Sequence, residues 1–165
     1  MGSEPGPGEP RFRAVLLDMD GVVADTLDWI RDTYLHTAER FGFTATDEVL
    51  QPLYGRPLRS CYEALYPDGD LDHCIEVHRA FQAGLMHLIR PFPGMAETLT
   101  GLRKAGVGTA VVTSRSIRST RVTLERLGLW ELLDTVVTPE DTQRHKPDPE
   151  PLLLAASRLG AQPAE

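Results

Sequence analysis

Cysteine is scarce, with Cys61 and Cys74 the two in 165 residues, so at most one disulfide could form. The N-terminus is acidic rather than basic and then apolar, which is not the pattern of a secretion signal, and reduced thiols are expected. No uninterrupted apolar run approaches the ~20 residues that a membrane-spanning helix requires. A cytoplasmic protein with no membrane partner is the expectation. Basic residues are the minority, 17 Lys and Arg against 24 Asp and Glu, for a net charge of −7. Nucleic-acid affinity rests on clustered cations, so no nucleic-acid partner is expected. The one basic cluster, Arg115, Arg118 and Arg121, recurs every third residue, the spacing of a solvated helix face, with a phosphate-binding edge as the alternative.

What is present suits a folded chain: 41% of residues are apolar and 25% charged, enough to bury one core, or one core with a small insertion. Residues 1–10, MGSEPGPGEP, have no large apolar residue after the initiator Met and read as a disordered tail. Ala14-Val15-Leu16-Leu17 then reads as a fully buried strand that ends abruptly at Asp18-Met19-Asp20-Gly21. From Asp25, taken as an N-cap, apolar residues recur at helical spacing until Gly42. Three more helical patterns follow, near 46–53, 57–66 and 71–89, broken by Pro and Gly clusters. Beyond the Pro91-Phe92-Pro93-Gly94 turn come a helix near 95–105, a strand over Val107 to Val112 and a helix near 117–128. A short strand at Thr135-Val136-Val137 and a helix near 149–159, capped by Asp148-Pro149, complete the pattern.

Strands alternating with helices imply a parallel α/β sheet. The all-helical stretch interrupts that alternation as an insertion would, so the expected organisation is a core of residues 11–24 and 91–165 with a helical cap over 25–90. In open parallel sheets ligands collect outside the carboxyl ends of the strands. There the chain places Asp18 and Asp20 after the first strand, Thr113 after the second, and Lys146 in the loop after the third.

Asp18-x-Asp20-Gly21-Val22, the hydrophobic strand ending in Thr113, and Lys146-Pro147-Asp148-Pro149 resemble the first three motifs of the haloacid dehalogenase superfamily of phosphohydrolases. The runs LLDMDGVVADT (16–26), VVTSR (111–115) and RHKPDPE (144–150), with helices inserted directly after the first, are similar to its phosphoglycolate phosphatase and β-phosphoglucomutase branch. The resemblance implies a Rossmann-like core carrying an inserted helical cap. It also implies a fourth, acidic motif on a further strand beside the one bearing Asp18. The sequence reaches Glu165 before such a motif, so the core is expected to be truncated at its C-terminal side, with a weakened metal site and an open edge on the first strand.

The chemistry accounts for the residue types. Phosphoryl transfer needs an in-line nucleophile and neutralisation of spreading negative charge, and a carboxylate can serve by forming an aspartyl-phosphate that water later cleaves. Asp18 fits that role. Asp20, two residues on, fits a group that protonates the leaving oxygen and then activates water. The resemblance implies the same assignments, and it places Mg²⁺ on the Asp18 side chain and the Asp20 backbone carbonyl. It further implies that Thr113 hydrogen-bonds the transferring phosphoryl group and that Lys146 supplies positive charge beside it. Gly21, Ser114 and Arg115 flank these motifs as expected substrate-binding residues. Arg56 joins them, because Gly55-Arg56-Pro57 resembles the loop through which the cap reaches substrate.

The function so implied is hydrolysis of a small phosphate monoester, phosphoglycolate-like, by a monomer or homodimer. The alternatives are a β-phosphoglucomutase-like phosphomutase, suggested by Val22, and a silent phosphate-binding or regulatory homologue. A calcium loop would require a different acid spacing before Gly21. A receiver domain would lack the helical insertion. Cys61, His73, Cys74 and His78 invite a zinc reading, but no C-x₂₋₄-C pair exists and helix packing accounts for them. His36 and His87 fall in helical patterns and read as packed or exposed.

Overall fold

A computed structural model of the protein describes residues 12–162; the tail expected over residues 1–10 lies outside the described residues. Among the described residues, five strands and seven α-helices follow one another. The first part comprises β1 (Ala14–Leu17), β2 (Ala24–Asp25), α1 (Leu27–Phe41), α2 (Asp47–Leu50), α3 (Leu58–Leu65) and α4 (Leu71–Leu85). After these come β3 (Arg90–Pro91), α5 (Met95–Lys104), β4 (Gly108–Val112), α6 (Ile117–Arg126), β5 (Thr135–Val137) and α7 (Glu150–Arg158). No helix among the described residues is long and apolar enough to cross a membrane.

β1, β4 and β5 form a parallel sheet in the order β1-β4-β5. Parallel strands need crossovers: β1 reaches β4 through the inserted helices and α5, and β4 reaches β5 through α6. The central strand alternates between two apolar layers, as a period of two dictates. Val111 packs with Met19, Leu99 of α5 and Leu124 of α6, while Ala110 and Val112 pack with Val137 and Ala155 of α7. Helices therefore cover both faces, and the carboxyl ends of all three strands open toward one side.

The inserted helices hold a cluster of their own, built from Tyr34, Leu50, Leu53, Tyr62, Cys74 and Ile75. Full burial of each Leu or Ile contributes about 1.5–3 kcal/mol. Where the insertion leaves and rejoins the core, β2 and β3 pair antiparallel, Ala24 with Pro91 and Asp25 with Arg90.

Five expectations are corrected here. β1 is half-buried along its length rather than fully buried, because it stands at an edge of the sheet among the described residues. Asp25 belongs to the β2–β3 ribbon, and Thr26 occupies the N-cap of α1. The pattern at 46–53 divides into α2 and a 3₁₀ turn, Gln51–Leu53, because Pro52 has no N–H with which to continue an α-helix. The pattern at 71–89 likewise ends as α-helix at Leu85 and tightens into a 3₁₀ turn, Met86–Leu88. Arg115 precedes α6, so the three arginines do not share one helix face.

His78 is the one buried histidine among the described residues, and its Nδ1 shares a hydrogen bond of 2.7 Å with the Tyr62 hydroxyl. Burial, helped by the positive charges of Arg79 and Arg115, pushes its pKa down from 6.5 to about 3. At neutral pH the ring is uncharged in the folded chain and mostly uncharged in the unfolded one. Below pH 6.5 the unfolded chain takes up a proton that the folded chain refuses until about pH 3, so stability falls as pH falls through that window. The slope reaches at most about 1.4 kcal/mol per pH unit. Urea unfolding at pH 7, 5.5 and 4.5 is expected to show a shallower loss for His78→Gln than for the parent. Equal losses in both would rule out His78 as the source.

Candidate active site

β1 delivers two carboxylates because Met19, between them, is fully buried in the core. The chain then doubles back: the Met19 carbonyl accepts from Val23 N at 3.0 Å and Ala24 N at 2.9 Å. Gly21 takes a φ of +74°, where a Cβ would also press on Leu27 at 3.2 Å, so a side chain there is strained as well as crowded. Thr26 is diverted from capping α1; its Oγ1 donates to Asp20 Oδ1 at 2.7 Å.

Lys146 reaches this point from 128 positions away, donating through Nζ to Asp18 Oδ1 at 2.7 Å and to the Val112 carbonyl at 3.1 Å. One ammonium thus joins the carboxyl ends of β1 and β4. Its loop is braced at both ends. Thr138 and Asp141 form a capping box, and Arg158 pairs with Asp141 at 2.6 Å. The Glu150 carboxylate accepts from Gln143 N at 3.0 Å and from Arg144 Nε at 2.9 Å. Asp148 Oδ1 accepts from Glu150 N at 2.9 Å, so Asp148 does serve the first turn of α7, with Pro149 at the N-cap.

Thr113 is buried, and its Oγ1 accepts from the Arg115 backbone N–H at 3.2 Å. Ser114 Oγ donates to the Gly55 carbonyl, tying the loop after β4 to the loop that carries Arg56. Asp18, Asp20, Thr113, Ser114, Arg115, Lys146 and Arg56 all line one cavity of about 850 Å³. Gly21 does not line it; its place is the turn. Trp29, Tyr34 and Tyr54 add an aromatic wall from the inserted helices.

The arrangement brings a carboxylate, a second carboxylate held by a hydroxyl, a buried threonine and an ammonium to the carboxyl end of a parallel sheet. That is the equipment for receiving and transferring a compact oxyanion. The zinc candidates are otherwise engaged. Cys61 Sγ is 3.4 Å from the Leu53 carbonyl, Cys74 is buried with its thiol pushed up to about 11 by burial, and His73 is exposed. No cluster of three or more His, Cys, Asp or Glu suited to a metal occurs among the described residues. His36 stacks on Phe81 at 3.9 Å, and His87 Nδ1 is 3.1 Å from the Gly84 carbonyl.

The family model described as haloacid dehalogenase-like hydrolase matches residues 15–165. The chain belongs to the haloacid dehalogenase-like hydrolase family. Among curated haloacid dehalogenase-like relatives, it is 36% identical over 160 residues to the pyrophosphatase PpaX of Bacillus velezensis, covering 95% of this chain and 73% of that protein. It is 35% identical to the N-acetylmuramic acid 6-phosphate phosphatase of Pseudomonas aeruginosa, covering 93% and 71%. The structure matches that of a haloacid dehalogenase superfamily hydrolase from Geobacter sulfurreducens with a TM-score of 0.65 at 28% identity, covering 92% and 74%.

Three residues at this site carry no expectation from the sequence. Thr26 lies in the run LLDMDGVVADT directly after Asp25, the expected N-cap, and its role depends on a carboxylate six residues back. Trp29 was masked by the helical periodicity around it. Ser119, which supports Arg115 at 2.9 Å, carries no local signal.

Proposed function

We propose that the protein hydrolyses a small phosphate monoester through an aspartyl-phosphate on Asp18. The observation that carries this reading is the 2.7 Å contact of Lys146 Nζ with Asp18 Oδ1 in a cavity also lined by Asp20 and Thr113. Lys146 holds one carboxylate oxygen and leaves Oδ2 without a protein hydrogen bond among the described residues. That oxygen attacks phosphorus, and the bond to the leaving oxygen breaks. Asp20, held at Oδ1 by Thr26, gives the leaving oxygen a proton. It then takes a proton from the water that attacks phosphorus, breaking the acyl phosphate and freeing Asp18. Thr113 donates to a phosphoryl oxygen, and Lys146 offsets the charge that develops there.

The donor set suits Mg²⁺, a hard ion that takes oxygen ligands and keeps several waters. The Asp18 side chain and the Asp20 backbone carbonyl would hold it, and its charge would offset repulsion between the carboxylates and the incoming phosphate. The relatives named for pyrophosphate and for a sugar-acid 6-phosphate support a phosphorylated small-molecule substrate, with phosphoglycolate as the first compound to try.

The test is phosphate release from p-nitrophenyl phosphate, phosphoglycolate and pyrophosphate, with bis-p-nitrophenyl phosphate as the diester control. Hydrolysis of monoesters but not of the diester is expected, with EDTA lowering the rate and added Mg²⁺ restoring it. Calorimetric binding of phosphate without any release from these compounds would reject the reading in favour of a silent phosphate-binding protein.

A further inference from the structure

Arg115 departs most from its sequence reading. Its guanidinium donates through Nη1 to Asp20 Oδ1 at 3.3 Å and through Nη2 to Ser119 Oγ at 2.9 Å. Its central carbon stands 5.0 Å from the ring centroid of Trp29. Three elements therefore grip one cation: the loop after β1, helix α6, and helix α1 of the insertion. Its side chain is 14% exposed, against 61% for Arg121, which pairs with Glu125 one helical turn on as an ordinary surface bridge. Solvent screening that makes surface pairs weak is reduced here, since the Asp20 side chain is itself only 20% exposed.

A carboxylate with a single donor can swivel about its side-chain torsions, and each torsion left free costs alignment when a proton must pass to one oxygen. Thr26 and Arg115 approach the same Asp20 oxygen from separate elements, which fixes the group and leaves Oδ2 free of protein donors among the described residues. The planar fork can serve Asp20 and Ser119 together while its face rests on the indole. Both hydrogen-bond partners and the ring are protein groups, so the guanidinium is held in place before any anionic substrate arrives.

We propose that Arg115 is a positioning residue for Asp20, kept in place by the Trp29 ring, and not a substrate-binding residue. The assignment rests on the phosphatase reading above. It extends that reading by making part of the alignment of Asp20 depend on a residue of the inserted helices.

The test compares Arg115→Met, Arg115→Lys, Trp29→Leu and the Trp29→Leu/Arg115→Met double variant in the full chain, using p-nitrophenyl phosphate. Arg115→Met is expected to lower kcat about tenfold with KM changed less than twofold. Arg115→Lys should fall between it and the parent, because an ammonium cannot hold both partners in one plane. Trp29→Leu should also lower kcat, and the double variant should lose little more than Arg115→Met alone, since both disrupt one contact. A readout independent of turnover is the emission of Trp29 in a Trp130→Phe background. Emission should shift on Arg115→Met and not on Arg121→Met. A raised KM with unchanged kcat would overturn the proposal in favour of substrate binding. So would fully additive losses, or an unshifted emission. Turnover in the parent with kcat retained in Arg115→Met sinks this role alone; absence of turnover in the parent sinks the phosphatase reading and this role together.

Discussion

Asp18→Asn is expected to lower kcat on any phosphate monoester by on the order of 10⁴-fold or more, the scale on which loss of a covalent nucleophile is felt. The substitution is nearly isosteric, and the amide oxygen can still accept from Lys146, so the fold should survive. The ion pair it removes is modest: the Asp18 side chain is 41% exposed, and pairs so placed contribute at most about 1 kcal/mol. The parent and variant should therefore melt within a few degrees of each other. Two measurements separate the possibilities. Phosphate release reports turnover, and acid-quenched protein incubated with radiolabelled phosphate ester reports the covalent adduct. The parent should retain label and the variant none. A variant that turns over at the parental rate would show that Asp18 is not the nucleophile.

Lys146→Met is expected to lower kcat/KM by roughly 10²–10³-fold, the effect of removing one preorganised charged donor from a transition state. Two consequences combine. The Asp18 oxygen loses the 2.7 Å bond that sets its orientation, and two carboxylates are left facing an incoming phosphate dianion with less compensation. The methylene stem of Met keeps most of the packing, so circular dichroism and melting should change little while both kcat and phosphate affinity fall. Phosphate release over a range of substrate concentrations separates the two contributions. A loss of less than tenfold would mean that Lys146 braces the loop against Val112 and has no part in the chemistry.

Much of this site was legible before any tertiary contact was known. Ala14 to Leu17 and Val107 to Val112 are apolar runs that stop abruptly at polar residues, and the abruptness marks where a strand meets solvent. Gly42 and Gly128 ended their helices as read, each with a positive φ that a chain leaving a helix uses. The interruption of strand–helix alternation corresponds to the run of helices α1 to α4 between β1 and β4. These features depend on residues close together along the chain, where periodicity and turn chemistry operate.

The remainder depended on contacts between distant positions. Arg115 and Asp20 lie 95 residues apart, and Lys146 and Asp18 lie 128 apart. From spacing alone, Arg115 belonged with Arg118 and Arg121; α6 begins two residues too late for that, and the Trp29 face and Asp20 claim its guanidinium. Asp25 was the expected cap of α1; Thr26 takes that position instead, and the carboxylate across the turn claims its hydroxyl. The half-burial of β1 follows from its place at the edge of the sheet among the described residues, an edge that the resemblance implied and that no property of Ala14 to Leu17 specifies. Local sequence determined which segments become strands and helices and which polar groups stand at their ends, because backbone sterics and side-chain periodicity act over a few residues. Tertiary structure alone decided which charge meets which, because hydrogen bonds and ion pairs form over a few ångströms of space regardless of separation along the chain.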